Sequence, residues 1–318
     1  MKKSKKIIWT IILILVLLGL IILIWWYYPV TRIDTNQLIP QNVSISIRCL
    51  TDSQHQLRQT GIQLFSRNAG QQVSGLKGKL VQLGISKAFP EEIKVAINQK
   101  PDSKENSIIL VVDFGPGIKL VRLVQDSLTQ KLLHSSRILD KPAGPYTIRY
   151  ILRSGKQVDS QPQACAWIDS GLIISNDLNL LTDLVSKYRS KSAISVPSGQ
   201  PDCVFSISNK NQEITEWIKE QEKQLEYAIF PTIGNIDRIE GTLTMQHADA
   251  GSGTIVFYIN PSIAHEKLPE INADVEFFKN VLRRLVRAHD LDLTASVSTQ
   301  NNSIQVDYQV TGLSNVKF

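Results

Sequence analysis

Three cysteines in 318 residues are too few to build a disulfide scaffold, and none of their spacings is CxxC. That removes zinc knuckles and thioredoxin-like redox sites. Histidine is nearly as scarce. His55, His134, His247, His265 and His289 include no HExxH and no pair three or four residues apart, so metal ligation has no local support. Neither GxSxG nor GxxxxGK[ST] occurs, so the nucleophile elbow of an α/β-hydrolase and the phosphate-cradling P-loop are both missing. An excess of one charge is lacking too. Of the formal +6, four charges come from Lys2, Lys3, Lys5 and Lys6, and the rest of the chain holds 31 basic against 29 acidic residues. A nucleic-acid surface needs clustered excess charge, and a balance of +2 argues against one.

A few sequence fragments resemble catalytic motifs without their companions. Ser74-Gly75-Leu76-Lys77 fits SxxK, but no SDN-like or KTG-like triplet follows, and Gly75 and Gly78 make a poor helix for a nucleophile. Phe114-Gly115-Pro116-Gly117 reads as a turn. Pro90-Glu91-Glu92 offers two carboxylates, which as sequence neighbours on a strand point apart.

What the chain does have is one long apolar run. Ile7 to Tyr28, IIWTIILILVLLGLIILIWWYY, carries no charge. At ~1.5 Å per helical residue it reaches ~33 Å, enough to cross a bilayer. Trp9 at one end and Trp25, Trp26, Tyr27 and Tyr28 at the other supply the rings expected at the headgroups. Pro29 stops the helix. Lysines 2, 3, 5 and 6 precede the span, while only Arg32 closely follows it, so the N-terminus is expected in the cytoplasm and the bulk of the chain outside. A cleaved signal peptide would have a shorter core followed by small residues, whereas bulky ones follow here; a retained single-pass anchor in the cytoplasmic membrane is expected.

The expected organisation is a basic leader (1–6), the anchor (7–28), a polar tether (29–42), a first lobe (43–188), a linker (189–202) and a second lobe (203–318). In the first lobe, alternation at Val43, Ile45, Ile47 and Cys49 predicts a strand, and Asp52 a helix cap. Strands are expected near 93–98, 107–114, 146–152, 164–168 and 172–175. Helices are expected at 118–134, with Leu120, Val124, Leu128 and Leu132 as its stripe, and at 178–188, capped by Asp177. The linker RSKSAISVPSGQPD is polar, with Pro197, Gly199 and Pro201. After it come a strand at 203–208, a helix at 213–230, strands at 239–246 and 253–259, and a helix at 274–289. Two last strands flank Asn301-Asn302, and His265-Glu266 reads as a solvated loop. Both halves read strand, helix, strand pair, helix, strand pair. The expected fold class is therefore α+β: two similar lobes of largely antiparallel sheet with helices on one face.

Cys49, Cys165 and Cys203 each sit in a strand-like context. They read as three small buried apolar residues, with one disulfide, Cys49 to Cys203, as the other reading.

The anchor and the segments LIPQNVSISIRCLTD, KAFPEEIKVAI, WIDSGLIISNDLNLLTDLVSKY and DCVFSISN together resemble one family of bacterial membrane-anchored proteins. That family is known as an extracytoplasmic domain of unknown function. The resemblance spans roughly residues 38–312 and implies lobes that open on a proline-preceded strand; it carries over no catalytic residue and no cysteine pattern.

The functional expectation is a non-enzymatic interaction or scaffolding module of the bacterial cell envelope, with an envelope protein as partner and no cofactor or metal. A carrier holding a lipid or other apolar ligand between a sheet and its helices or between the lobes, and an envelope hydrolase with a dispersed site, are the alternatives. Lys279, Arg283, Arg284 and Arg287 on the last helix read as a solvated face or as a contact for anionic lipid or polymer.

Overall fold

The computed structural model describes residues 29–40, 43–52, 56–59, 86–99, 106–133, 137–151, 163–190, 200–209, 231–247, 249–262, 264–287, 290–300 and 302–313, with 62, 84, 212, 215 and 216. The expected anchor and leader, the SxxK fragment, and most of the helices expected after Asp52 and at 213–230 lie outside these residues. Among the described residues, no helix is long and apolar enough to cross a membrane.

The first half contains β1 (Ile45–Leu50), β2 (Glu92–Gln99) and β3 (Asn106–Asp113), then α1 (Ile118–Arg122) and α2 (Gln125–Leu132). It continues with β4 (Leu139–Ala143), β5 (Tyr146–Tyr150), β6 (Ala164–Ile168), β7 (Gly171–Ser175) and α3 (Leu178–Lys187). The second half contains β8 (Cys203–Ser208), β9 (Ile236–His247), β10 (Ala250–Ile259), α4 (Ala264–Arg287), β11 (Asp292–Gln300) and β12 (Ser303–Thr311). The protein is thus mixed α+β.

The twelve strands among the described residues join one antiparallel sheet in the order β11-β12-β10-β9-β8-β1-β2-β3-β7-β6-β5-β4. The halves meet as adjacent strands, with Ile45 opposite Ile207 and Cys49 opposite Cys203. Outward from that central pair, one half presents β1, β2, β3, β7, β6 and the other β8, β9, β10, β12, β11. The strands occur in the same rank on both sides, and each half inserts helix between its third strand and its outer hairpin.

Strand register defines two faces, because side chains alternate. On the front lie Cys49, Val95, Leu110, Ile174 and Cys165 in the first half, and Phe205, Leu243, Ile255 and Val306 in the second. Leu132 and Leu133, at the end of α2, pack with Cys165, Leu172 and Ile174 on the front. On the back, Leu181, Leu184 and Val185 of α3 pack with Ile109, Val111, Ala164, Ala166 and Ile173. The expectation of helices on one face therefore fails in the first half. Its central strands, ILVV, ACAWI and GLIIS, are apolar on both sides, which requires a layer on each. In the second half Ile271, Val275 and Phe278 of α4 cover Phe257, Ile304 and Val306 on the front. Thr294, Ser296 and Ser298 on the back of β11 are exposed to solvent.

Three elements depart from expectation. The helix expected over 118–134 breaks at Leu123 and Val124, where Val124 has φ −121°. Its buried side is Ile118, Val121, Thr129 and Leu133, with Val124 of the expected stripe turned out. The last helix starts ten residues early and runs through Pro269, so His265-Glu266 is helical. An interior proline costs about 3 kcal/mol, and full burial of Ile271 and Val275, the second and sixth residues after it, offsets it. Strand β4, unexpected, carries Pro142 at the sheet edge, where a missing N–H costs no ladder bond.

Candidate functional site

Two places in the fold gather function-capable groups. The first is beneath residues 30–40. This stretch, expected as a polar tether, instead lies against the back of the sheet: Ile33 and Leu38 join the α3 core cluster, and Leu38 is wholly buried. Room for it is made at Gly171, where a Cβ would come 2.7 Å from both Ile33 Cδ1 and the Val112 carbonyl.

The polar contacts of this strap are dense. The Ile33 N–H donates to Ser170 Oγ (3.0 Å), and Ser170 in turn donates to Asp113 Oδ1 (2.6 Å). The Asp34 N–H donates to the Tyr188 hydroxyl (3.1 Å), which donates to Asp169 (2.8 Å). Asp169 also accepts from Tyr146 (3.1 Å) and Ser190 (2.5 Å). Thr35 donates to Glu92 (3.0 Å), which also accepts from Arg48 Nε (2.5 Å), and Lys94 Nζ donates to Asn36 (2.5 Å). Arg32 pairs with Glu91 and stands 3.8 Å from Asp113.

Burial pushes the Asp113 carboxyl above its usual range, against the Ser170 and Gly115 donors and Arg32. Burial lowers Lys94, against Glu92. Burial likewise raises Tyr188, helped by Asp169. Chemically this is a satisfied joint. Ser170 is fully buried and its hydroxyl is committed to Asp113, and the polar partners that pin the strap, named above, include no histidine. Glu91 and Glu92 serve different partners, Arg32 against Thr35 and Arg48, as strand alternation implies for neighbours.

The second place is a cavity of about 240 Å³ between α4 and the front of β10–β12. Val275, Phe278 and Val286 line it from the helix, and Phe257, Val306 and Val310 from the sheet. Its polar groups are Lys279, which pairs with Glu276, and Tyr308, whose hydroxyl donates to the Thr242 carbonyl (2.8 Å). Burial raises the Tyr308 phenol.

The four basic residues anticipated on this helix divide. Lys279 borders the cavity; Arg283 turns to the edge strand and donates to the Ala295 carbonyl (3.0 Å); Arg284 and Arg287 are exposed. Arg283 Nε is buried with no partner among the described residues. The anticipated membrane-anchor residues, Lys2 through Tyr28, lie outside the described residues. The anticipated Phe114–Gly117 turn is a 3₁₀ turn with Gly115 at φ +51°. Among the described residues no group of three or more His, Cys, Asp or Glu stands close enough to hold a metal.

Of the two cysteine readings, the disulfide holds: Cys49 and Cys203 are bonded across β1 and β8, and Cys165 is a buried free thiol pushed up to about 11 by burial. The strap was invisible to sequence reasoning because its partners lie as far as 154 residues away. One available signal was the apolar residues Ile33, Leu38 and Ile39 in a mostly polar stretch. Compared with protein-family models, curated proteins and solved structures, the chain matches none. The family resemblance thus rests on the quoted segments alone.

Proposed function

We propose that this protein is a single-pass, membrane-anchored, extracytoplasmic module of the bacterial cell envelope, non-enzymatic, that presents its sheet to a partner in a fixed orientation. The observation that carries the reading is the strap. The chain leaving the apolar run at Tyr28 is seated by Ile33, five residues later, in the back of the sheet. A folded unit that had to swing on a tether would not bury those residues. The Cys49–Cys203 disulfide supports an oxidising compartment. The matching strand order of the two halves supports their reading as duplicated lobes about an axis between β1 and β8.

Protease added to sealed cells tests the placement. Digestion of the bulk of the chain is expected; protection until the cells are broken open would overturn it. Cross-linking in intact membranes then identifies the partner.

A second reading is favoured by the cavity under α4. Its apolar walls, with Lys279 at the border and Arg284 and Arg287 exposed on the same helix, suit the acyl chain of an anionic amphiphile. At 240 Å³ it falls a little below the usual range of about 300–1,000 Å³, so it holds one short chain or part of a longer one. Lipid extraction and mass spectrometry of the purified chain should find such a ligand, and filling the cavity with Val306→Trp should remove it. A chain that carries no lipid would leave the interaction reading alone.

A further inference from the structure

Among the described residues, the two most exposed large apolar side chains are neighbours: Leu123 at 73% and Val124 at 52%. They form the elbow between α1 and α2, held by turns from Leu123 N–H to the Leu120 carbonyl and Val124 N–H to the Val121 carbonyl. No core position needs them there, since Val121 and Leu133 on either side supply the buried contacts.

The elbow's position in the fold is what makes it informative. Arg122, exposed beside Leu123, donates to the carbonyl of Asp169 (2.8 Å). Asp169-Ser170 is the turn between β6 and β7, and that same turn receives the Ile33 N–H of the strap. Strap and elbow thus flank one end of the sheet from its two faces. From Tyr28, the end of the apolar run, to Ile33 is five residues, which span at most ~17 Å. Any membrane crossed by residues 7–28 therefore has its outer surface within reach of this turn.

We infer that the Leu123-Val124 elbow is a membrane-contact tip, inserting its two apolar side chains among the outer-leaflet lipids with Arg122 at the phosphates. This rests on the reading of residues 7–28 as the membrane span. Amphipathic surfaces that lie on a bilayer bury apolar side chains at the headgroup–acyl boundary and keep cations at the headgroups, which is the pattern Arg122-Leu123-Val124 offers. Phe277, 48% exposed on α4 in the other half, has no such link to the strap and serves as the internal control. Together, anchor, strap and tip would give the module two points of membrane contact and so a defined tilt.

The test uses the full chain reconstituted in liposomes of mixed zwitterionic and anionic lipid, with an environment-sensitive fluorophore on Leu123→Cys or on Phe277→Cys. The native Cys165 is buried and the other two cysteines are bonded, so labelling is confined to the new thiol. Brominated lipids should quench the label at 123 at least twofold more than the label at 277. Adding Val124→Asp to the Leu123→Cys chain should reduce that quenching. Equal quenching at both positions, in a chain that still floats with the liposomes, overturns the tip and leaves the anchor standing. A chain that fails to float overturns the anchor reading and the tip with it.

Discussion

The two halves of the sheet share a strand order and differ in what covers them. Around β3, β7 and β6 both faces are packed, by α2 on the front and by α3 with the strap on the back. Around β10, β12 and β11 the core cluster among the described residues lies on the front, under α4, and the back of β11 presents hydroxyls to solvent. The difference follows the sequence of the strands. GLIIS has no polar position until its last residue, whereas SVST alternates. The half joined to the strap is the one packed on both faces. The other half carries the α4 cavity and, among the described residues, an uncovered back face on β11.

Removing the link between the halves should have the largest effect. The disulfide closes a loop with a sequence separation of 154, for which the chain-entropy argument gives about 5 kcal/mol. Cys49→Ser/Cys203→Ser should lose about 2–5 kcal/mol in denaturant titrations. It should also split the transition, with the half carrying the open face unfolding first; one unchanged transition would show that the halves do not differ in stability.

Core truncation should sharpen the contrast between back-face positions of the two halves. Ile173→Ala, at a fully buried site, should cost about 2–5 kcal/mol. Ser296→Ala, on the exposed back of β11, should stay within about 0.5 kcal/mol.

A smaller effect is expected at the strap. Ser170→Ala leaves the Ile33 N–H without its acceptor and takes one of two donors, the other being the Gly115 N–H, from Asp113, worth about 1–3 kcal/mol. The pH dependence has a definite sign. Because burial raises the Asp113 carboxyl in the folded protein, the folded state holds that proton more firmly than the unfolded chain. Its contribution is therefore greatest at acid pH and falls as pH rises from the ordinary carboxyl value upward. Asp113→Asn should flatten that slope, and a difference curve between the two proteins across pH 3–7 would check it.

Among the changes expected to destabilise, the least costly is at the cap of α3. Asp177 accepts from the Asn179 and Leu180 N–H groups, and Asp177→Ala should cost about 1 kcal/mol by thermal melting.

Local chemistry was legible and long-range pairing was not. Asp177 as a cap, the β11–β12 hairpin around Asn301-Asn302, and the strands Ala164–Ile168 and Cys203–Ser208 follow from residues within a few positions of each other. The merging of both halves into one sheet depends on β1 meeting β8, and no local period encodes that pairing. Pro142 hid β4, because proline argues against a strand unless the edge position is already known. The break at Leu123-Val124 ran against a continuous apolar stripe at helical spacing, and the strap's anchoring residues sit in a stretch too polar to suggest packing. The cavity was anticipated only as a class, a space between sheet and helices, and its residues came from the register of β10–β12 with α4.

The most direct measurement is a thiol count on the full chain taken from producing cells into denaturant with a polyethylene-glycol maleimide and no reductant. One adduct per chain, at Cys165, is the expected result, since Cys49 and Cys203 are joined across the centre of the sheet, as the proposed oxidising compartment allows. Three adducts would contradict both the compartment and the closure of the two halves.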